Sequence, residues 1–510
     1  MSADALLTSD FAALPDIIRD HAEERGGKTA VADGEGSYSY TELDAMMDRV
    51  AAALQRDGVD QGQSVAIISA SSIAYAAVFL GTLRAGCVAA PLAPSSTPEA
   101  LAAMIADCGA PIVFLDGDNQ AAIAQQPIAA KQIRLDTTEF EAWLAPPGSK
   151  PRPVTIDPVD GFNIIYSSGT TGTPKGIVQS HRMRWSHIGR NSAGGYGEAV
   201  TMNSTPLYSN TTLVSFLPTL GWGGTVVLMK KFDARRFLEL AEKFRVTHAM
   251  LVPVQYQRIM AVPDFDTFDL SAFRLKTSTS APFSATLKAD ILKRWPGRLI
   301  EFYGMTEGGA STGLDCTEYP DKLHTVGQPL PGHDMRLIDD DGNEVAQGET
   351  GEVVGRSPAM MTGYHGRKQA TADAEWYDKE GNRFIRHGDI GRFDEDGFLI
   401  LMDRKKDLII SGGFNIYPVD IEAVLKQHPA VVECTVIGVP SEKWGETPVG
   451  FYVPNSGVDA SADEIMAWTN NQLGKTQRLS ALHPIDELPR SAIGKVLKRE
   501  LRDRLTAQPA

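Results

Sequence analysis

Residues 164–178 read IIYSSGTTGTPKGIV. An apolar run typical of a β-strand leads into a loop of Gly, Ser and Thr, and the loop ends at Lys175. Glycine allows positive φ and close backbone approach, so successive N–H groups can converge on an anion. The hydroxyls add donors, and the lysine adds a point charge suited to phosphate. We interpret this stretch as a polyphosphate-binding loop. The alternative is a flexible linker, which the apolar residues on both sides disfavour.

The loop differs from a Walker A phosphate loop, which needs Gly-x-x-x-x-Gly-Lys followed by Ser or Thr. Here Pro174 precedes the lysine and Gly176 follows it. A helix with a magnesium-binding hydroxyl at its N-terminus therefore cannot begin at this lysine.

Length and composition limit the class of protein. A chain of 510 residues exceeds one hydrophobic core, so several subdomains are expected. The net charge of -15 argues against nucleic acid or an anionic membrane as the main partner. The four cysteines (Cys87, Cys108, Cys316 and Cys434) lack metal-ligand spacing and indicate reduced thiols. No apolar run is long enough to span a bilayer, so we expect a cytoplasmic protein without integral membrane association.

Strands and helices alternate through most of the chain. Apolar periodicity predicts helices over 11–24 and 73–84 and strands over 64–69, 88–92 and 112–115. Two further helices are expected to begin at threonine caps, one at Thr41 with Asp44 as its capping acid and one at Thr97, followed by Pro98. A second set follows, with strands over 224–229, 248–252 and 298–302 and helices over 234–244 and 287–295. This alternation predicts an α/β fold with doubly wound, largely parallel sheets.

The pattern of predicted secondary structure changes after about residue 326. Short strands separated by Gly/Asp turns predict a small β-barrel or meander up to about residue 400. The charged run Asp403–Asp407 follows, and a compact tail of mixed α and β character ends the chain. We therefore expect a large N-terminal domain over 1–402 and a small mobile α+β domain over 403–510.

Several motifs occur together in a characteristic order. They are Ser167–Gly176, Tyr303–Glu307, Gly388-Asp389, Asp403–Asp407, Ser411-Gly412-Gly413 and Pro489–Lys495. In order and approximate spacing the chain resembles the acyl-adenylate-forming (AMP-binding) superfamily. That group includes acyl- and aryl-CoA ligases, adenylation domains of peptide synthetases and luciferase-like enzymes. The resemblance covers nearly the whole chain, and several ordered motifs are far more specific than one glycine loop.

The resemblance implies a ligase that forms acyl-AMP and pyrophosphate from ATP and a carboxylic acid, then passes the acyl group to a thiol. It assigns ATP and AMP binding to Ser167, Ser168, Gly169, Thr170, Thr171, Gly172, Thr173, Lys175, Tyr303, Gly304, Thr306, Asp389, Arg404 and Lys495. Lys495 and Thr306 are the expected catalytic residues, since charge on the α-phosphate must be neutralised during attack. Glu307, with Thr170, is the expected Mg²⁺ ligand.

The resemblance also assigns the remaining sites. Coenzyme A is expected at Ser411, Gly412, Gly413 and Trp444, and Asp403 is the expected hinge. The acyl pocket is expected at Trp185, Tyr208, Ser209, Asn210, Thr279, Ser280 and Gly304. Ser209 stands where the family often has histidine, and Thr279-Ser280 replace a Gly-Gly pair. His387 and Phe414 are further departures. Arg182 and Arg184 either face a polar acid or lie on an exposed helix face.

We therefore expect an ATP-dependent acid:CoA ligase acting on a small aromatic or medium-chain monocarboxylic acid. Its partners are the acid, ATP and CoA, without nucleic acid, and a homodimer is left open. One alternative is a stand-alone adenylation enzyme that loads a carrier protein's pantetheine in trans. Another is a luciferase-type adenylate oxidase.

Overall fold

The computed structural model describes residues 2–167, 174–189, 194–404, 407–411, 414–441, 444–475, 477–491 and 494–507. The chain divides into two compact units. The first comprises residues 1–324, 329–334 and 355–385, and the second comprises residues 325–328, 335–354 and 386–510. The boundary expected between residues 402 and 403 stays a prediction.

The helices and strands follow in chain order. Up to residue 189 they are α1 Ala3–Leu7, α2 Leu14–Arg25, β1 Thr29–Ala32, β2 Ser37–Ser39, α3 Tyr40–Arg56, β3 Ser64–Ile68, α4 Ile73–Arg84, β4 Val88–Pro91, α5 Pro98–Asp107, β5 Ile112–Leu115, α6 Gly117–Ile123, β6 Lys131–Arg134, α7 Thr138–Trp143, β7 Gly161–Ser167, β8 Lys175–Ser180 and α8 His181–Gly189. Up to residue 315 they are β9 Val200–Asn203, α9 Asn210–Gly221, β10 Thr225–Leu228, α10 Ala234–Lys243, β11 His248–Leu251, α11 Pro253–Met260, β12 Leu275–Ser278, α12 Ala285–Arg294, β13 Arg298–Met305 and β14 Gly308–Asp315.

The later elements are mostly strands. They are β15 Gln328–Pro329, β16 Asp334–Ile338, β17 Gly351–Arg356, β18 Gly363–Tyr364, α13 Lys368–Asp373, β19 Glu375–Tyr377, β20 Arg383–Phe393, β21 Leu399–Arg404, β22 Ile409–Ser411, β23 Phe414–Ile416, α14 Pro418–Leu425, β24 Val431–Ser441, β25 Gly445–Pro454, α15 Ala462–Asn470, β26 Ala481–Pro484 and α16 Lys498–Ala507. No helix among the described residues combines the length and apolar character needed to cross a membrane.

Two mixed sheets organise the first unit. One has the strand order β18-β8-β7-β4-β3-β5-β6, parallel from β7 to β6, with β8 and β18 antiparallel at one end. The other runs β14-β13-β12-β11-β9-β10-β1-β2 within this unit, parallel from β13 to β1 and antiparallel at both ends. The predicted α/β fold with largely parallel sheets is confirmed.

Helix capping explains most of the helix starts. Thr97 caps α5 by accepting a hydrogen bond from the Ala100 N–H, as predicted. The predicted cap at Thr41, with Asp44 as its acid, is wrong. Helix α3 begins one residue earlier, because Ser39 and Glu42 form a reciprocal capping box. Asp44 pairs instead with the buried Arg84.

The second unit contains two open sheets. Strands β16, β17 and β20 follow one another in one sheet, with β21 beside β20. Over the described residues these strands do not close on themselves, so the small β-barrel is wrong and the sheet is open. The other sheet has the order β23-β22-β25-β24, with β26 beside β25. Helix α14 packs Ile421 and Leu425 into a core with Val436 from β24, which confirms the mixed α and β character of the tail.

Candidate active site

The expected phosphate loop lies between two antiparallel strands. Strands β7 and β8 pair with Ser167 opposite Lys175 and Ile165 opposite Ile177. The loop therefore starts and ends at the predicted residues. Ser168, Gly169, Thr170, Thr171, Gly172 and Thr173 lie outside the described residues, and for Ser167 only the backbone is described.

The loop lysine lies against an aromatic ring that sequence reasoning missed. Strand β18 pairs with β8 so that Tyr364 lies opposite Ile177. Lys175 Nζ is 5.1 Å from the centroid of the Tyr364 ring, within the range of a cation–π interaction. The ring therefore orients the ammonium group near the end of the loop.

The same tyrosine contacts the expected metal ligand. Tyr364 Oη donates a 2.8 Å hydrogen bond to Glu307 Oε1. Burial, together with the nearby Glu307 carboxylate, raises the pKa of Tyr364, so its hydroxyl stays protonated and donates. Lys175 and Glu307, far apart in sequence, are thus held by one side chain. No local sequence signal marks Tyr364, since its two contacts come from distant segments.

Glu307 lies in the turn of a β-hairpin. The strand predicted to end at residue 302 is longer than expected, since β13 continues through Met305 and Tyr303 pairs with Thr312 of β14. The turn needs glycine at position 308, where φ is +82° and a Cβ would lie 1.7 Å from the Ala359 carbonyl oxygen. The Glu307 carbonyl accepts the Met361 N–H at 2.8 Å, which fixes the turn from one side.

The residues present fit a magnesium ion shared with phosphate. Among the described residues no group of three or more His, Cys, Asp or Glu side chains is placed to hold a metal. Mg²⁺ commonly takes one or two carboxylates and completes its shell with waters and substrate phosphates. One hydrogen bond at Oε1 leaves the Glu307 carboxylate further acceptor positions.

Two segments of the expected acyl pocket meet through hydroxyl groups. Thr211 Oγ1 and Ser280 Oγ are 2.7 Å apart, and Ser209 caps α9 by accepting from the Thr211 N–H at 3.2 Å. Ser280 has φ of +80°, a conformation that favours glycine. The hydrogen bond to Thr211 offsets part of that strain and joins the start of α9 to the segment after β12. Asn210 and Thr279 flank these residues in the chain.

The other expected pocket residues have different surroundings. Trp185 lies in the main apolar core, edge-on to Phe11. Tyr208 is half-buried, and Gly304 is exposed on β13. Arg182 pairs with Asp10 at the surface. The exposed helix face expected for Arg184 is wrong, because its side chain is fully buried.

In the second unit the two expected ribose contacts face each other. Strands β20 and β21 pair Asp389 with Arg404, and Arg404 Nε is 3.4 Å from Asp389 Oδ1. Burial lowers the pKa of the nearby His387 to about 4, so this histidine is neutral beside the carboxylate at neutral pH. Asp403 pairs with Ile390, and only its backbone is described.

The expected catalytic lysine lies on a tight turn. Ser491 N donates to the Lys495 carbonyl at 2.8 Å, and the Lys495 N–H donates to Ser491 Oγ at 3.2 Å. Arg490 donates to the Gly494 carbonyl at 2.8 Å and to Glu433 of β24 at 2.9 Å. Arg490, which sequence reasoning did not single out, therefore ties the turn to the sheet.

Two of the four expected CoA residues lie among the described residues. Ser411 is buried and pairs with Gly445, while Trp444 has half of its surface exposed. Glu446 Oε2 accepts the Ile410 N–H at 2.9 Å, which holds β22 and β25 together. Gly412 and Gly413 lie outside the described residues.

Similar proteins were found along nearly the whole chain. Residues 18–365 match the family described as AMP-binding enzyme, and residues 420–495 match the AMP-binding enzyme C-terminal domain. A feruloyl-CoA synthase of Amycolatopsis sp is 34% identical, with 93% of this chain and 96% of that protein covered. An indoleacetate–CoA ligase of Aromatoleum aromaticum is 31% identical, with 96% and 97% covered. The crystal structure of ATP-bound MatB from Rhodopseudomonas palustris has a TM-score of 0.86 at 30% identity, with 99% of each chain covered.

Proposed function

We propose, since the chain belongs to the family of AMP-binding enzymes, that it is an ATP-dependent, AMP-forming ligase joining an aromatic carboxylic acid to coenzyme A. The observation that carries the proposal is the Lys175–Tyr364–Glu307 contact chain. Tyr364 contacts both the Lys175 ammonium group and the Glu307 carboxylate, and this arrangement supports binding of phosphate and Mg²⁺ beside the loop. The similar feruloyl-CoA synthase and indoleacetate–CoA ligase support an aromatic acid.

In the first step a carboxylate oxygen of the acid attacks the α-phosphorus of ATP. The bond from that phosphorus to the bridging oxygen breaks, and pyrophosphate leaves. Lys175 would bind the β- and γ-phosphates, and the Thr306 hydroxyl would donate to the α-phosphate. Lys495 would hold the carboxylate and the α-phosphate together, which lowers the barrier by orientation and by charge. Mg²⁺ at Glu307, when bound, would neutralise charge on the phosphates.

In the second step the CoA sulfur attacks the acyl carbonyl carbon. The carbon–oxygen bond to AMP breaks, and the thiol proton passes to solvent. Asp389 and Arg404 would bind the ribose through both steps. Ser411 and Trp444, with Gly412 and Gly413, would lie along the pantetheine arm. Asp403 would be the pivot at which the C-terminal part changes orientation between the steps.

A panel of acids tests the proposal. Pyrophosphate release is measured with hydroxycinnamates, benzoates, indole acids and straight-chain fatty acids, each with and without CoA. We expect the highest kcat/KM for a ring-bearing acid and a thioester only when CoA is present. An optimum with long straight chains would contradict the substrate class. Acyl transfer to a carrier protein but not to CoA would contradict the acceptor.

A further inference from the structure

A fully buried arginine lies next to the phosphate-loop hairpin. Arg184 of α8 has no exposed surface, and none of the described carboxylates forms an ion pair with it. Burial lowers the pKa of its guanidinium to about 9, so the group remains charged at neutral pH. A buried charge without a counter-ion costs stability. An apolar side chain would fill this space at lower cost, so the arginine needs another explanation.

The arginine determines how two buried amides are oriented. Arg184 Nε donates to Asn163 Oδ1 at 2.8 Å, and Nη2 donates to Gln179 Oε1. Asn163 Nδ2 also donates to Gln179 Oε1, at 2.8 Å. A guanidinium has donors only. Both amide oxygens must therefore face the arginine, and the Gln179 NH₂ group must point away from it.

The Gln179 NH₂ group reaches the candidate catalytic turn. Gln179 Nε2 donates a 2.7 Å hydrogen bond to the carbonyl oxygen of Thr306. Gln179 lies on β8 four residues after Lys175, and side chains alternate along a strand, so the two share one face. The turn is thus held at both residues, by Gln179 at Thr306 and by Met361 at Glu307.

We propose that Arg184 is a positioning residue for adenylation. It fixes the Gln179 amide so that its NH₂ group holds the Thr306 carbonyl, and this keeps Thr306 and Glu307 where nucleotide and metal bind. The proposal rests on the proposed function for the identity of the reaction. The contact network itself, Arg184–Asn163–Gln179–Thr306, lies wholly among described residues of the first unit.

The Gln179→Glu variant separates positioning from folding. A carboxylate keeps the acceptor for Arg184 and Asn163 and gives the arginine a counter-ion, so we expect an unchanged or higher urea midpoint. The atom facing the Thr306 carbonyl changes from a donor to an acceptor, which pushes the turn away. Small displacements of reacting groups are costly in rate. We expect kcat for pyrophosphate release to fall by about tenfold or more, and half-maximal activity to require about tenfold more Mg²⁺.

Gln255→Glu is the matched control. Gln255 is also a buried glutamine whose NH₂ group donates to a backbone carbonyl, that of Ser204 at 3.3 Å. Among the described residues no arginine donates a hydrogen bond to it. This control should lower the urea midpoint and leave the Mg²⁺ requirement unchanged. Arg184→Met, which keeps the volume and removes the charge, should raise the Mg²⁺ requirement with a small change in the urea midpoint.

Calorimetric titration of each variant with ATP and Mg²⁺ gives a readout that needs no acid. We expect weaker metal-dependent ATP binding for Gln179→Glu and Arg184→Met than for wild type. If the wild-type enzyme binds ATP but releases pyrophosphate with none of the acids, the proposed function fails. The ATP titrations still test the role of the contact network in that case. Wild-type ATP affinity and Mg²⁺ dependence in both variants would overturn the inference. So would a loss of activity that follows the loss of stability in all three variants.

Discussion

At the residue scale, Tyr364 joins two groups that sequence reasoning assigned to separate motifs. Tyr364→Phe keeps the ring beside Lys175 and removes the hydrogen bond to Glu307. A hydrogen bond to a charged group contributes about 1.5–3 kcal/mol, so we expect about tenfold or more loss in kcat/KM for ATP at limiting Mg²⁺. Steady-state kinetics at several Mg²⁺ concentrations measure this effect.

Tyr377→Phe is the control for this variant. Tyr377 donates to Glu375 at 2.9 Å on an exposed surface, so the same hydroxyl-to-glutamate contact is lost outside the candidate site. Kinetics equal to wild type are expected there. A Tyr364→Phe enzyme with an unaltered Mg²⁺ dependence would mean that Tyr364 does not position Glu307.

Lys495 provides the second prediction at this scale. Its turn is fixed by Ser491 and Arg490, so its ammonium group is presented from a defined backbone. Lys495→Ala should lower the rate of acyl-AMP formation by about 10²–10³ or more, because the charge acts where carboxylate and α-phosphate meet. Thioester formation from supplied acyl-AMP should remain near wild type. Pyrophosphate release at the wild-type rate would refute this role.

At the scale of elements, the Thr211–Ser280 hydrogen bond joins α9 to the segment after β12. Ser280→Gly removes a side chain from a backbone with φ of +80°, so lost strain and the lost hydrogen bond should nearly cancel in stability. We expect kcat/KM to shift toward bulkier acids. Thr211→Val breaks the same hydrogen bond and leaves the serine in place, so its ranking of acids should match wild type. If Ser280→Gly ranks the acids by kcat/KM in the same order as wild type, Ser280 does not line the acyl pocket.

Helix α8 begins at a buried histidine whose pKa is lower in the folded protein than in the unfolded chain. Burial lowers the pKa of His181 from 6.5 to about 4. The unfolded state therefore binds more protons between these values, and stability falls as the pH drops from about 6.5 to 4, by about 3 kcal/mol in all. His181→Gln should flatten the pH dependence of the urea midpoint in this range. A slope equal to that of wild type in His181→Gln would contradict the assignment.

The limits of helices and strands could be predicted from the sequence more accurately than the contacts between them. The limits of α4 and β5 were predicted residue for residue, because local periodicity and caps determine them. Arg184 was expected either to face a polar acid or to lie on an exposed helix face, because its neighbours in the sequence give no sign of buried amide partners. Tyr364 was missed because both of its contacts come from remote segments. The limits of the loop near Ser167 and Lys175 were predicted from the apolar residues on both sides, whereas the pairing of these two residues is a finding of the structure.

At the scale of the whole molecule, the matches to the family end at residue 365 and resume at residue 420. The proposed pivot Asp403 lies between them. Asp403→Pro fixes φ and removes an N–H in β21, so we expect adenylation to survive and thioester formation to fall. Asp403→Ala keeps the N–H and backbone freedom and should retain both half-reactions. Equal loss of both half-reactions in the proline variant, at unchanged stability, would show that Asp403 is not the pivot.

The central claim is that the acid is activated as an acyl-adenylate. The most direct measurement uses an aromatic acid labelled with oxygen-18 in its carboxylate, together with ATP, Mg²⁺ and CoA, and mass spectrometry of the nucleotide product. When the carboxylate attacks the α-phosphorus, one labelled oxygen becomes the bridge between the acyl group and AMP. When the thiol later attacks the acyl carbon, this oxygen leaves with AMP. We predict AMP carrying one labelled oxygen for each thioester formed. Unlabelled AMP, or label in inorganic phosphate with release of ADP, would contradict the account.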